Sequence, residues 1–305
     1  DKWKDAKLWS FFDDGPYGSA HAHADKLQLC VYNRRMILVD PGKYRYSDKG
    51  GWTPEYYLAS RGHNTVMLDD HDQNMYLWYK ETGPNNEAQL KKYDMISSGP
   101  IPKKQYEVTP DYDRFSGKVK VGYRKGAFYK RRNLRSTKGI PKLEIMQGKA
   151  SHERTVYFKR GRYWLVFDRI RGDRTRKANA LWHFHPDCKV KKLAGGQVAS
   201  IDANKGNLLI VPAVGGIKMT PELVKGKGFQ GWYSPKTNAR VPTWCADYSG
   251  SAQPDGYFAW LLLPFDGARV PKASVKIISI DGEKVKMEVK TGDSKSEVVE
   301  FKTSV

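Results

Sequence analysis

The chain has 305 residues, 39% hydrophobic and 28% charged, with a mean hydropathy of −0.68. That is the composition of a folded chain with a polar surface, and no run approaches the 18 apolar residues of a membrane-spanning helix. Its 53 basic and 33 acidic side chains leave a net charge of +20, which favours polyanionic partners: nucleic acid, anionic membrane or acidic polysaccharide.

The opening DKWKDAKLWSFFDDG lacks the apolar core of a secretory signal. Residues 27–39, LQLCVYNRRMILV, set two apolar runs around Asn33-Arg34-Arg35 and predict a β-hairpin. Residues 54–60 predict a short helix with Pro54 at its start. The polar stretch 83–102, with its Gly and Pro, reads as a long surface connection. Residues 155–169, TVYFKRGRYWLVFDR, repeat the hairpin pattern around Lys159-Arg160-Gly161. Short runs of β-branched and aromatic residues predict further strands at 208–214, 256–264, 275–280, 285–289 and 298–301, and the part after 273 reads as a closing meander. No apolar stripe of helical period persists over three turns, and no repeat of fixed period occurs. The expected class is all-β, with stacked antiparallel sheets in one domain over 1–305. Cys30, Cys188 and Cys245 are widely spaced with no CxxC, which excludes a dense disulfide framework and a cysteine zinc ribbon. One disulfide plus a thiol, or three free thiols, remain open; buried free thiols are the simpler reading.

Chemistry concentrates in the histidines. His21 and His23 form an H-x-H pair, as do His183 and His185, and residues i and i+2 of an extended segment share a face. Asp40 ends an apolar strand just before Pro41-Gly42, and His63 sits in Arg61-Gly62-His63-Asn64-Thr65. Two imidazoles and a carboxylate, His23, His63 and Asp40, suffice for a three-ligand zinc site. Their separations of 17 and 23 residues are no metal motif in themselves, and each side chain could instead bond backbone near a strand end. His183 and His185, with only Asp187 beside them, read as structural.

The strings GPYGSAHAHADKL (15–27), LVDPGKY (38–44) and RGHNTV (61–66) together resemble the heparinase II/III-type polysaccharide lyases, and Gln73-Asn74 resembles their heparin-sulfate lyase (heparinase III) branch. The likeness is strongest over residues 10–80. It continues more weakly through Glu153-Arg154-Thr155-Val156, Val166-Phe167-Asp168-Arg169, Ala180-Leu181-Trp182-His183 and Gly231-Trp232-Tyr233-Ser234. The resemblance implies an N-terminal (α/α) toroid paired with a C-terminal antiparallel β-sandwich, of which this chain matches the sandwich. It places an active site in the cleft between the two, the toroid supplying a catalytic Tyr and an Asn or His that neutralises the substrate carboxylate. By motif position it makes His21 the catalytic histidine and His23, Asp40 and His63 the ligands of one divalent ion. That ion is zinc on ligand type, in a structural role. Tyr44 and Tyr57 lie near the motif and are candidates to assist catalysis. Arg61 is a candidate substrate contact, as is the basic stretch 124–149; Asn64 is expected to orient His63, with substrate contact as its other reading.

The implied reaction is β-elimination on an acidic, sulfated uronic-acid polysaccharide of heparan sulfate type, in a periplasmic or secreted bacterial protein. The implied partners are that polysaccharide and the chain's own toroid. No membrane partner is expected, and no nucleic acid, because no recognition helix, finger spacing or RNP-like strand occurs. A non-catalytic carbohydrate-binding sandwich and a lyase for alginate-type uronan remain the alternatives.

Overall fold

The computed structural model of the chain describes residues 7–17, 23–45, 51–73, 100–119, 122–125 and 144–303. The strand Tyr163–Gly172 sets the architecture. Its first half is apolar at almost every position, so in a pleated strand it needs cover on both faces. Trp164 and Val166 enter one core cluster with Trp260, Leu262, Leu208 and Ile210. Tyr163, Leu165 and Phe167 enter another with Leu261, Leu263, Leu209 and Val211. The result is three layers with an antiparallel sheet in the middle.

That middle sheet has eight strands, in the order 190–192, 198–200, 206–212, 256–266, 163–172, 150–159, 112–119 and 106–108. On one face lie two smaller sheets. The first contains strands β1 (Leu8–Phe12), β2 (Leu29–Asn33) and β3 (Met36–Leu38). The second contains Thr220–Lys225, Trp244–Ala252, Arg176–His183 and β4 (Val66–Leu68). On the other face lies the closing meander Ala273–Asp281, Lys284–Thr291 and Glu297–Lys302, packed through Val275, Val285, Met287 and Phe301. Both predicted hairpins form; the second turns at Gly161, whose φ of +72° favours a residue without a Cβ. The all-β class read from the sequence is the class observed.

One reading shifts in detail. The helix expected over 54–60 is a single π turn, Thr53–Tyr57, followed by the 3-10 turn Ser60–Gly62. Leu58 N–H reaches back five residues to the Thr53 carbonyl, and Ala59 is already extended (φ −91°, ψ 151°), so no α-helix propagates. The three cysteines are buried and unbonded to one another. The connection at 83–102 lies outside the described residues up to position 99; residues 100–102 are exposed.

One strand brings the candidate site together. β4 pairs with Arg176–His183, and β3 meets the end of that strand through the Leu38–Phe184 bridge and the Val39 N–H to His183 carbonyl bond. Asp40, just beyond β3, and His63, just before β4, are thereby carried to the same end of the sheet.

Candidate metal centre

His23, Asp25, Asp40 and His63 each offer a ligand-capable atom, and these four atoms lie within 4.8 Å of one another. The two imidazole rings are 5.3 Å apart and tilted by 46°. His63 Nδ1 is 3.1 Å from Asp40 Oδ2. Gln28 Nε2 bridges the carboxylates, donating to Asp40 Oδ2 at 3.2 Å and Asp25 Oδ2 at 3.5 Å. Asp40 Oδ1 also accepts the Gly42 amide at 2.8 Å. Thus three separated segments converge as the family resemblance implies, with Asp25 added. Asp25 stands at i+2 from His23, so the alternation that pairs His21 with His23 was also the signal for it.

The electrostatics are those of a crowded anionic cluster held by histidines. Desolvation pushes the Asp40 carboxyl up, but the hydrogen bond and charge of His63, the charge of His23 and the Gly42 amide outweigh it and hold it well below the usual carboxylate range. At Asp25 burial dominates, and its carboxyl is raised to about 6. Desolvation alone would lower His63, but its bond to Asp40 and the charges of Asp40 and Asp25 raise it overall. His63 Nε2 is buried without a hydrogen-bond partner. Two imidazoles and two carboxylates around such an orphaned ring nitrogen are a donor set that suits a divalent cation.

The scaffold around this cluster is made of buried side chains that clasp backbone. Asn64 is fully buried: Nδ2 donates to the Leu29 and Val39 carbonyls (3.0 and 3.1 Å), and Oδ1 accepts the His183 amide (2.6 Å) and lies 3.2 Å from His183 Nδ1. Its amide is therefore spent on joining β2, β3 and the neighbouring strand, with no group left over for His63 or for substrate. Gln73 clasps the other side, accepting from Lys26 N–H and Tyr17 Oη and donating to Lys26 carbonyl and Thr65 Oγ1. Ser60 Oγ donates to the Ala24 carbonyl at 2.6 Å. Leu27 adopts φ +66°, a left-handed conformation unusual for a non-glycine residue, in the tight turn where the Gln28 amide meets the Asp25 carbonyl.

Beneath the turn lies a buried ion pair. Arg154 donates Nε and Nη2 to the two oxygens of Asp168 (2.7 and 3.2 Å), and Nη1 to the carbonyls of Leu27 and Asn64 (2.8 and 2.7 Å). His152 Nε2 and Trp260 Nε1 complete the carboxylate at 2.6 and 3.0 Å. Burial would raise Asp168, but the Arg154 charge and the His152 hydrogen bond hold it at about 2. The middle sheet therefore fixes two of the three ligand-bearing segments through one guanidinium.

The remaining candidates are placed as follows. His21 lies outside the described residues, as do 126–143 of the basic stretch. Tyr44 is half-buried and stacks on the fully buried Tyr57 (ring centroids 5.5 Å, 22°). The Arg61 side chain is 29% exposed, with Nη2 4.0 Å from Asp72 Oδ2. His183 is buried between Asn64 and Gln230, and burial lowers it to about 4; His185 packs edge-on against Tyr233.

A family model described as heparinase II/III-like, C-terminal, matches residues 2–261. A search of curated protein sequences finds no match. Among solved structures, the chain is similar to the heparan sulfate lyase HepC of Pedobacter heparinus (TM-score 0.69, 16% identity), covering 98% of this chain and 40% of that one. A mutant of the same lyase gives a TM-score of 0.71 at 16% identity, covering 97% and 39%. A structure titled heparinase III, BT4657 gene product, gives 0.64 at 15% identity, covering 98% and 42%. At these identities the likeness concerns the fold, and the chain spans about two fifths of the length of these structures. With the family model matching most of its residues, the chain belongs to the heparinase II/III-like C-terminal domain family.

Proposed function

We propose that the protein carrying this chain is a polysaccharide lyase that cleaves an acidic, sulfated uronic-acid polymer of heparan sulfate type by β-elimination. The observation that carries this reading is the convergence of Asp25, Asp40 and His63 on His23, the second histidine of the H-x-H motif, in a chain of this family with a net charge of +20.

The chemistry sets the requirements. The C5 proton of a uronate lies α to a carboxylate and is very weakly acidic, so its removal needs the carboxylate charge offset while the enediolate develops. A base must take that proton, and an acid must protonate the oxygen leaving C4. His23, Asp25, Asp40 and His63 would hold a divalent cation, which when bound supplies fixed positive charge that knits three segments together. We assign zinc to it. Four protein donors leave no open position, which is the form of a structural zinc site. In this reading the cluster anchors the segment leading out of His21, two residues from His23, so that its imidazole meets substrate. Of the two tyrosine candidates we assign the assisting role to Tyr44, which is half-buried; Tyr57, fully buried, stacks on it and supports it. Arg61, partly exposed next to His63, offers its guanidinium to a carboxylate or sulfate. The second half of the active site is assigned to an N-terminal toroid. A polymer of this size is met outside the cytoplasm, so the reading extends to a periplasmic or secreted bacterial protein.

The test is to incubate the intact protein with heparan sulfate, heparin and alginate and follow the ultraviolet absorbance of the C4–C5 unsaturated uronate. Absorbance should rise on a sulfated substrate and be abolished by His21→Ala, with little or none from the 305 residues alone. Turnover of alginate only would correct the substrate. Binding of glycan by the intact protein without any unsaturated product would replace the lyase with a carbohydrate-binding module.

A further inference from the structure

Next to the cluster, the loop after Asp40 is locked to the segment that follows residue 228. Ser234 N–H donates to the Pro41 carbonyl at 2.8 Å and Asn238 N–H to the Tyr44 carbonyl at 2.9 Å. Tyr56 Oη donates to the Trp232 carbonyl (2.8 Å) and accepts the Trp232 amide (3.0 Å). Gly42, at φ +74°, lets the strands approach so closely that a Cβ there would stand 2.6 Å from the Ser234 oxygen.

This junction presents an aromatic nest around two arginines. Trp52 packs edge-on against Phe229 (4.8 Å) and Trp232 (5.4 Å). The Arg240 guanidinium lies 3.7 Å from the Trp52 ring centroid, with the Trp232 and Tyr44 rings at 5.0 and 5.8 Å. Arg45 sits over the Tyr44 ring at 4.9 Å. Phe229 is 37% exposed.

What distinguishes this nest is charge pairing. Arg240 Nη1 and Arg45 Nε are buried with no hydrogen-bond partner. Arg61, Arg114 and Arg176 also bury an Nε without a hydrogen bond, but each has a carboxylate beside it. Arg154, Arg160, Arg162, Arg169 and Arg176 each face a carboxylate, whereas among the described residues Arg45 and Arg240 face none. Stacking orients a guanidinium but accepts none of its protons, and Arg45 and Arg240 are each partly exposed, so their outer N–H groups can meet an acceptor brought from outside. The guanidinium fork matches a carboxylate or sulfate, and an exposed aromatic ring offers apolar contact to the C–H face of a pyranose.

We propose that Trp52, Phe229, Trp232 and Arg240, flanked by Arg45, form a subsite for one anionic sugar residue, its ring against Phe229 and its carboxylate or sulfate on Arg240. The subsite rests on the reading that the protein binds acidic glycan, and adds where and through which groups.

The test titrates size-defined heparan sulfate oligosaccharides into the intact protein carrying His21→Ala, which separates binding from turnover, and follows tryptophan fluorescence and calorimetric heat. Arg240→Met and Phe229→Ala should each weaken binding about ten-fold, the size of one lost charge-assisted contact. Arg240→Lys should recover only part of the loss, and Arg162→Met, paired elsewhere with Glu297, should change nothing. Phe229 lies at the surface, so its variant keeps the test alive if Arg240→Met does not fold. Repeating the series with carboxyl-reduced and with desulfated oligosaccharides identifies the anion as the one whose removal erases the Arg240→Met effect. Wild-type-like affinity of both variants, or no binding of any acidic oligosaccharide by the parent, overturns the subsite. An absence of unsaturated product with binding and its Arg240 dependence intact would remove the lyase reading and leave the subsite standing.

Discussion

Arg154→Met is the substitution that most sharply couples this fold to its candidate site. The guanidinium is fully buried and makes four hydrogen bonds, two to Asp168 and two to the carbonyls of Leu27 and Asn64. Methionine fills much of the same volume but leaves Asp168 in the interior with only His152 and Trp260, and strips both carbonyls of their donor. Breaking a buried pair by removing one partner costs about 3–5 kcal/mol. At about 2–4 °C per kcal/mol for a large domain, the melting temperature should fall by about 6–20 °C. The assay is calorimetric or urea unfolding, together with metal retained after gel filtration. Leu165→Ala is the control: it removes comparable stability, about 2–5 kcal/mol, from the layer facing away from the site, and should retain metal. Arg154→Met should lose metal, because Leu27 follows Asp25 and Asn64 follows His63 in the chain. A double Arg154→Met/Asp168→Leu variant should cost less than the sum of its singles, because no unpaired charge remains. Arg154→Met unfolding within about 1 kcal/mol of wild type, or retaining metal as well as Leu165→Ala does, would refute the coupling.

Other expectations follow from the same geometry. Asn64→Ala strands the Leu29 and Val39 carbonyls and the His183 amide, and should cost about 2–4 kcal/mol in urea unfolding while weakening metal binding. Asp168 sits at about 2 when folded, below its ordinary 3.8, so its contribution is complete above about pH 5 and is lost progressively as pH falls to about 1. The stability gap between wild type and Asp168→Asn, measured by urea midpoints, should accordingly narrow by about 2–3 kcal/mol over that window. A constant gap would mean that Asp168 is not held as an anion. Asp25→Asn removes one donor and should lower metal affinity about ten-fold or more in a competition titration with a chelator, whereas a three-ligand site would leave affinity unchanged.

The strands named from the sequence were legible because their signal is local; Leu8–Phe12, Tyr112–Val119, Arg176–His183, Thr220–Lys225 and Trp244–Ala252, less apolar or more interrupted, were missed. The two hairpins, the long 256–266 strand and the closing meander each announce themselves by apolar runs broken at turn residues. Burial on both faces made 163–167 a continuous apolar run, and the turn at Gly161 marks its start. His23, Asp40 and His63 were legible through the order of short motifs, and the structure gathers them. Asp25 was hidden in plain alternation. Asn64 was read as a partner of His63 or substrate, but an amide with two donors and a doubly accepting oxygen is worth more as a clasp between strands. Gln73 marked the family branch without revealing that it closes the loop at Lys26. Arg154 and Asp168, and still more Trp52, Phe229, Trp232 and Arg240, act through contacts between distant segments, which no local pattern encodes.

Metal content tests the central claim most directly. Protein purified without chelators and measured by elemental mass spectrometry should carry close to one equivalent of a divalent ion, zinc on the present assignment. His23→Ala and His63→Ala, still folded by circular dichroism, should carry almost none. A wild-type protein that is metal-free and takes up no zinc on titration would contradict the account.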